Sequence, residues 1–324
     1  MDYSVVTSIY KDAHLAGNFC RDVAAVFAAH LGIKEDELGK VLEIILVNDG
    51  GPGESLMQLL AIQRQYDFVR VADLSRNFGQ HEALACGFHL ARGKYVLRMN
   101  VDMQDRPSEI PKLLRAMMTG QHDLVIGRYK IRNSPLSTRC SAYLYFKLFG
   151  FLTGFDAVQL TSPMRVMNRA FLDAYNALTE KSRFPQGLDR WLGFRHAYVE
   201  IEHEPRGDYK SSYTLRSRAR LAMTGILYFT DRPLVLIASS GLWMGALGFV
   251  LALGIVLQKW MGVDLLPGFA SLSSIILIGF GLQIGCIGLL GLYVGKIFRE
   301  VQNRPLYIVK EIYQSNGSTD VNSA

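Results

Sequence analysis

The sequence predicts an α/β protein: a doubly wound, mostly parallel sheet domain followed by interface helices and two transmembrane helices. Three observations predict it. Over the first 130 or so residues, short apolar runs alternate with stretches of helical spacing, the pattern of strand–helix–strand units. Polar and charged residues gather where the apolar runs end. Near the C-terminus, residues 233–258 and 265–295 carry no charge, and each stretch exceeds the ~20 apolar residues that cross a bilayer. The 324 residues are 49% hydrophobic against 20% charged, and that excess sits in the C-terminal stretches.

The elements follow in order. "YSVVTSIY" reads as a strand, residues 17–31 have helical spacing, and "VLEIILVNDGG" is a buried strand that ends in a turn. "SLMQLLAIQRQY" is helical, "FVRVADLS" a strand, "GQHEALACGFHLA" a helix and "KYVLRMNVD" a strand. "PSEIPKLLRAMM" is a helix opened by Pro107 and Ser108, and "HDLVIGRY" is a further strand. Ligands of such sheets bind outside the carboxyl ends of the strands. Asp12, Asp49, Arg76 with Asn77, Asp102 with Gln104, and Arg128 are therefore expected to converge on one cleft.

The expected organisation is a cytoplasmic domain over 1–212, an amphipathic interface helix over 213–232, transmembrane helices over 233–258 and 269–295, and a cytoplasmic tail over 296–324. The aromatic stretch 134–156 reads equally as a core helix or an interface helix. Arg216, Arg218, Arg220 and Arg232 precede the first span, and Lys296, Arg299, Arg304 and Lys310 follow the second. The connection between the spans has Lys259 against Asp264. An excess of bases outside the connection puts both termini in the cytoplasm. The N-terminus lacks the basic and apolar regions of a secretory signal. Cys20, Cys86, Cys140 and Cys286 form no CxxC pair and read as small buried hydrophobes in a reducing compartment. The net charge is +6. Its bases lie beside the apolar spans, which points to anionic lipid or phosphorylated ligands and away from nucleic acid.

Asp102 and Gln104 place two oxygen donors at a strand end, within reach of a hard cation such as Mg²⁺ or Mn²⁺, which completes its shell with substrate phosphates. The same aspartate also fits a turn at a helix start. Asp49 is equally divided between a base or ribose contact and the shaping of a glycine turn. Gly50, Gly51 and Gly53 match neither a dinucleotide fingerprint nor a Walker loop.

"SIYKD", "VNDGG", "SRNFGQHEALACGF", "MNVDMQDRPSEIP", "SPMRVMN" and "RGDYKSSYTL", followed by two spans and "RPLY", resemble the family 2 inverting glycosyltransferases that load a sugar onto a polyprenyl phosphate. These include the bactoprenol glucosyltransferases, the undecaprenyl-phosphate aminoarabinose transferases and dolichol-phosphate mannose synthase. The resemblance runs from Tyr3 to about Tyr307. It implies a GT-A nucleotide-diphospho-sugar domain and inverting transfer, from a UDP-sugar by default, to undecaprenyl phosphate at a bacterial inner membrane. The lipid-linked product would serve surface glycan or lipopolysaccharide modification. It also implies a homo-oligomer, a tetramer in some relatives.

By position, the resemblance puts Tyr10, Asp12, Asp49, Arg76, Asn77 and Asn100 on the nucleotide, and Asp102 and Gln104 on the metal and diphosphate. It puts Arg128 and Arg165 near the reacting groups, and Arg206, Ser211, Tyr213, Arg216 and Arg218 on the lipid phosphate. There are departures. Asn100 stands where the family has a first aspartate, keeping an acceptor oxygen without the charge. Pro163 stands where many relatives have Asp, and Tyr209 replaces a glycine of the "R-x-x-G-x-S-x-Y" pattern. Two other functions stay open: a glycan-extending membrane glycosyltransferase, although "DRWLGFR" lacks the glutamine of its acceptor motif, and a membrane-anchored binding subunit without catalysis.

Overall fold

The structure, a computed structural model, describes residues 1–129, 161–181, 185–202, 232–261 and 268–314. The interface stretches expected at 134–156 and 213–232 lie outside the described residues, apart from Arg232. The described chain falls into two compact units, one holding the sheet and the other two long helices.

The sheet unit begins as the hydrophobic patterning expects. Strand β1 (Tyr3–Ile9) leads to α1 (Ala16–Leu31), β2 (Leu42–Asn48), α2 (Gly53–Gln65), β3 (Val69–Leu74), α3 (Gln80–Leu90) and β4 (Tyr95–Arg98). Then come α4 (Ile110–Thr119), β5 (Leu124–Tyr129), β6 (Thr161–Asn168), α5 (Arg169–Asn176), α6 (Pro185–Trp191) and β7 (His196–Ile201). Strand residues alternate between the two faces of the sheet. On β2, Ile44 and Leu46 enter one core with Phe19, Val23 and Phe27 of α1 and Leu113 of α4. Ile45 and Val47 enter the other, with Leu84 and Cys86 of α3 and Phe171 of α5. Both faces are covered by helices, so these strands read as continuous apolar runs. At Gly87, α3 lies so close to the sheet that a Cβ would stand 2.3 Å from Val6 Cγ1. Cys20 and Cys86 are fully buried, as the sequence implied.

The strand order is β7-β5-β6-β4-β1-β2-β3-β8. Pairs β1–β2, β1–β4, β2–β3 and β5–β7 are parallel, whereas β4–β6, β5–β6 and β3–β8 are antiparallel. The sheet is thus mixed but still mostly parallel, with only β6 and β8 running against the other described strands. "SPMRVMN" forms β6, which reverses direction between β4 and β5. Two reversals leave β4 and β5 pointing the same way, so Arg128 at the end of β5 shares the carboxyl edge with β1–β4.

The C-terminal tail also differs from expectation. Residues Val309–Tyr313 form β8, which pairs antiparallel with β3 at the sheet edge. Ser75 N–H donates to Ile308 O at 3.0 Å, and the Tyr307 ring lies 6.1 Å from that of His89. A short strand that pairs with a distant segment leaves no local periodicity, so the sequence pattern does not announce it within the expected tail.

The second unit contains α7 (Arg232–Trp260) and α8 (Phe269–Val301). Their 29 and 33 residues extend about 43 and 50 Å at 1.5 Å per residue. Within α8, Gly279–Val301 has a mean hydropathy of 1.5 and is long and apolar enough to cross a membrane. Its apolar side chains are open, with Ile284 68% and Val294 62% exposed. Many side chains of α7 lie outside the described residues.

Candidate active site

The carboxyl ends of β1 to β4 form one polar edge. The turn after β2, Asp49-Gly50-Gly51, is wedged between two neighbours. Gly50 has φ +60°, and a Cβ there would stand 2.3 Å from Arg76 C and 2.4 Å from Asn77 N. A Cβ on Gly51 would stand 2.4 Å from Tyr10 O. Only glycine fits such a left-handed position without strain. Asn48 braces the strand ends below, donating through Nδ2 to Asp73 Oδ1 at 2.7 Å.

Asp49 turns its carboxylate to the loop before α3. Oδ1 accepts Phe78 N–H at 2.7 Å and Oδ2 accepts Gly79 N–H at 3.0 Å. Burial raises its pKa, opposed by those two donors and by Arg76. The aspartate therefore holds the "SRNFG" loop, and any nucleotide contact it makes goes through the loop it shapes. That loop presents Arg76 and Asn77, both exposed, with the Arg76 guanidinium 4.1 Å above the Phe78 ring. Tyr10 is 42% exposed past β1, and Asp12 opens the 3-10 turn Ala13–Leu15 without a side-chain cap bond.

After β4 the chain makes a tight loop with Met103 at φ +50°. Asn100 Oδ1 accepts from Gln80 Nε2 at 3.3 Å. Asp102 is half-buried, and its Oδ1 accepts Gln104 N–H at 3.4 Å. Asp105 is only 4% exposed and is held by buried partners. Ser162 donates to its Oδ2, Tyr129 bonds to it as well, and Met164 N–H donates to Ser162 Oγ at 2.8 Å. This buried network ties the loop to β6 and leaves Asp102 as the accessible carboxylate. Among the described residues no group of three or more His, Cys, Asp or Glu is arranged to hold a metal. One carboxylate beside amide oxygens still fits a Mg²⁺ or Mn²⁺ ion, which takes the rest of its shell from substrate phosphates and water.

Arg128, half-exposed at the end of β5, stands opposite Thr161 of β6 and Glu200 of β7. Arg165 lies deeper. It is 4% exposed, sits across from Arg98 in the β4–β6 register, and pairs through Nη1 with Asp189 Oδ2 of α6. Arg206, Ser211, Tyr213, Arg216 and Arg218 lie outside the described residues. Sequence reasoning missed Arg98, His81, Asp189 and the Asp105–Ser162–Tyr129 network. Arg98 left one signal, a single charge inside the apolar run "YVLRM".

A mixed sheet with an antiparallel strand between β4 and β5, and a polar carboxyl edge that carries Asp12 and Asp102, fits a GT-A type α/β domain. The glycosyl transferase family 2 model matches residues 4–175. The chain is 32% identical over 273 residues to an uncharacterized glycosyltransferase of Synechocystis sp., covering 84% of this chain and 85% of that one. It is 29% identical over 318 residues to the undecaprenyl-phosphate 4-deoxy-4-formamido-L-arabinose transferase of Aeromonas hydrophila, covering 96% and 94%. It is 29% identical over 278 residues to a prophage-derived bactoprenol glucosyl transferase of Shigella flexneri, covering 85% and 89%. The chain belongs to glycosyl transferase family 2 and is a glycosyltransferase.

Proposed function

We propose that this enzyme transfers a sugar from a nucleotide diphosphate sugar, a UDP-sugar by default, to a polyprenyl phosphate such as undecaprenyl phosphate, with inversion. The observation that carries the reading is the half-buried carboxylate of Asp102 at an edge shared by Tyr10, Asp12, the Asp49-held loop with Arg76 and Asn77, and Asn100. The relatives named for transfer to undecaprenyl phosphate and bactoprenol support the acceptor class.

Asp102 would hold Mg²⁺ or Mn²⁺, with Gln104 beside it and Asn100 as a neutral contact. The cation supplies Lewis-acid neutralisation of charge on the leaving diphosphate. A polyprenyl phosphate is already an anionic nucleophile at neutral pH, so the protein's task is positioning more than deprotonation. Arg128 faces the reacting phosphates, and Arg165 acts from below the edge. Arg206, Ser211, Tyr213, Arg216 and Arg218 draw the lipid phosphate from the leaflet through guanidinium forks and hydroxyls. In this reading α7 and α8 both span a bacterial inner membrane with the termini in the cytoplasm. The glycines of α8 permit close helix contact in a homo-oligomer. The product is a lipid-linked sugar for surface glycan or lipopolysaccharide modification.

The test is a transfer assay in detergent with undecaprenyl phosphate, a panel of nucleotide sugars and Mn²⁺ or Mg²⁺, with the lipid read by mass spectrometry. A glycosylated lipid phosphate made by wild type with metal, and lost in Asp102→Ala, is the expected result. Nucleotide-sugar turnover onto a soluble glycan with no lipid product would overturn the acceptor assignment.

A further inference from the structure

Below the carboxyl edge, on the α3 face of the sheet, lies a group of buried basic side chains of which the reading above uses Arg165 alone. Arg98 ends β4 and Arg165 is its cross-strand partner on β6. Their relative exposures are 6% and 4%. Asp189 forms an ion pair with Arg165. No described carboxylate pairs directly with Arg98. Asp189 and Asp105 act on it electrostatically, Asp189 while paired with Arg165 and Asp105 while bonded to Ser162 and Tyr129. The Nε atoms of both arginines and Nδ1 of His81, the second residue of α3, are buried without a hydrogen-bond partner. The outer nitrogens of Arg98, Nη2 of Arg165 and Nε2 of His81 are neither bonded nor shut off from solvent. Burial and Arg165 draw Arg98 down to about 9, so it remains a cation at neutral pH.

Buried guanidiniums are stable when acceptors satisfy their forks. Here two cross-strand guanidiniums keep donors accessible beside the accessible Nε2 of a neutral imidazole, and one carboxylate is committed to one of the guanidiniums. An oxyanion is the ligand that matches two guanidinium forks side by side, with the neutral His81 imidazole able to donate from Nε2 in one tautomer. The group stands under the loop that carries Asn100 and Asp102 and under the start of α3.

We propose that Arg98, Arg165 and His81 form an oxyanion subsite of the donor pocket, with Arg98 as its specificity-determining residue. The inference rests on the nucleotide-sugar reading above. The oxyanion belongs either to the donor's diphosphate or to an acidic group on its sugar.

The experiment measures binding of uridine, UDP, UDP-glucose and UDP-glucuronate to the full-length protein in detergent. Wild type is compared with Arg98→Met and Arg98→Lys, and the melting temperature of each ligand-free protein is recorded. Arg98→Met is expected to weaken UDP by about tenfold or more while leaving uridine unchanged if the subsite takes the diphosphate. If it takes an acidic sugar, the loss falls on UDP-glucuronate alone. In both cases Arg98→Lys recovers part of the loss, and the ligand-free Arg98→Met protein melts no lower than wild type. Equal weakening of all four ligands, no weakening, or a lowered melting temperature with unchanged selectivity would overturn the subsite. Nucleotide binding by wild type with an unaltered Arg98→Met removes the subsite alone. No nucleotide binding by wild type removes the donor reading and the subsite with it.

Discussion

The two edges of the sheet each bury an ionic group, and they are built differently. At the amino edge, Glu43 and Arg70 are 2% and 8% exposed. Glu43 Oε2 accepts Arg70 Nη1 at 2.9 Å, and Oε1 accepts Ser4 Oγ and Arg92 N–H, both at 2.6 Å. Arg70 also donates to Leu90 O at 3.0 Å. One carboxylate meets one guanidinium and both its oxygens accept hydrogen bonds, with only Arg70 Nε left without a partner. The group locks the end of α3 and the turn into β4 against β1 and β2. At the carboxyl edge, Arg98 and Arg165 share a face with Asp189 and His81, and donors are left over. A buried carboxylate matched one to one with a guanidinium holds structure, whereas two guanidiniums beside one paired carboxylate leave an excess of positive charge.

The largest way to break this contrast is at the amino edge. Glu43→Ala strands Arg70 and removes three accepted hydrogen bonds. It should cost about 3–5 kcal/mol of stability by thermal or denaturant unfolding, with donor selectivity among surviving molecules unchanged. At the carboxyl edge, Asp102→Asn should do the opposite. It is expected to lower kcat/KM by about a hundredfold, close to 3 kcal/mol of barrier, while the melting temperature stays within a degree or two of wild type (roughly a few tenths of a kcal/mol).

His81 sharpens the contrast through pH. Burial, Arg98 and Arg165 lower its pKa from 6.5 to about 4. The unfolded chain therefore takes up the proton first as pH falls. Stability from this group is full above pH 6.5 and declines between 6.5 and 4, by up to about 2–3 kcal/mol. Unfolding measured across that window should lose this slope in His81→Gln. The smallest effect is at the turn: Gly50→Ala forces a Cβ against the Arg76–Asn77 backbone and should cost about 1–3 kcal/mol. Nucleotide affinity falls with it, because the displaced loop is the one that carries Arg76 and Asn77.

Much of this was legible in the residues themselves. Alternating apolar strands and amphipathic helices locate every element up to β5, because burial on both sheet faces imposes a pattern within each element. The edge residues Asp12, Asp49, Asn77 and Asp102 follow from one geometric rule, that strand ends of a parallel run share a side. The charge-free stretch over α8 predicts a helix able to cross a membrane, because bilayer thickness sets a length that composition alone can report.

What the tertiary structure decided depends on partners far apart in the chain. The reversal of β6 between β4 and β5 and the return of β8 onto β3 leave no mark in local spacing, since a strand looks the same whichever way its neighbour runs. Asp49 and Asp105 look alike as acids beside strand ends. Only folding shows that Asp49 is bonded to Phe78 and Gly79, and Asp105 to Ser162 and Tyr129, while Asp102 stays half-buried at the carboxyl edge. Arg98 and Arg165 are 67 positions apart in sequence and become neighbours through the β4–β6 register alone. Sequence determines which residues are charged and which segments are buried. The meeting of two charges in a dry interior is a property of long-range pairing, and there it decides whether they hold the fold or wait for a ligand.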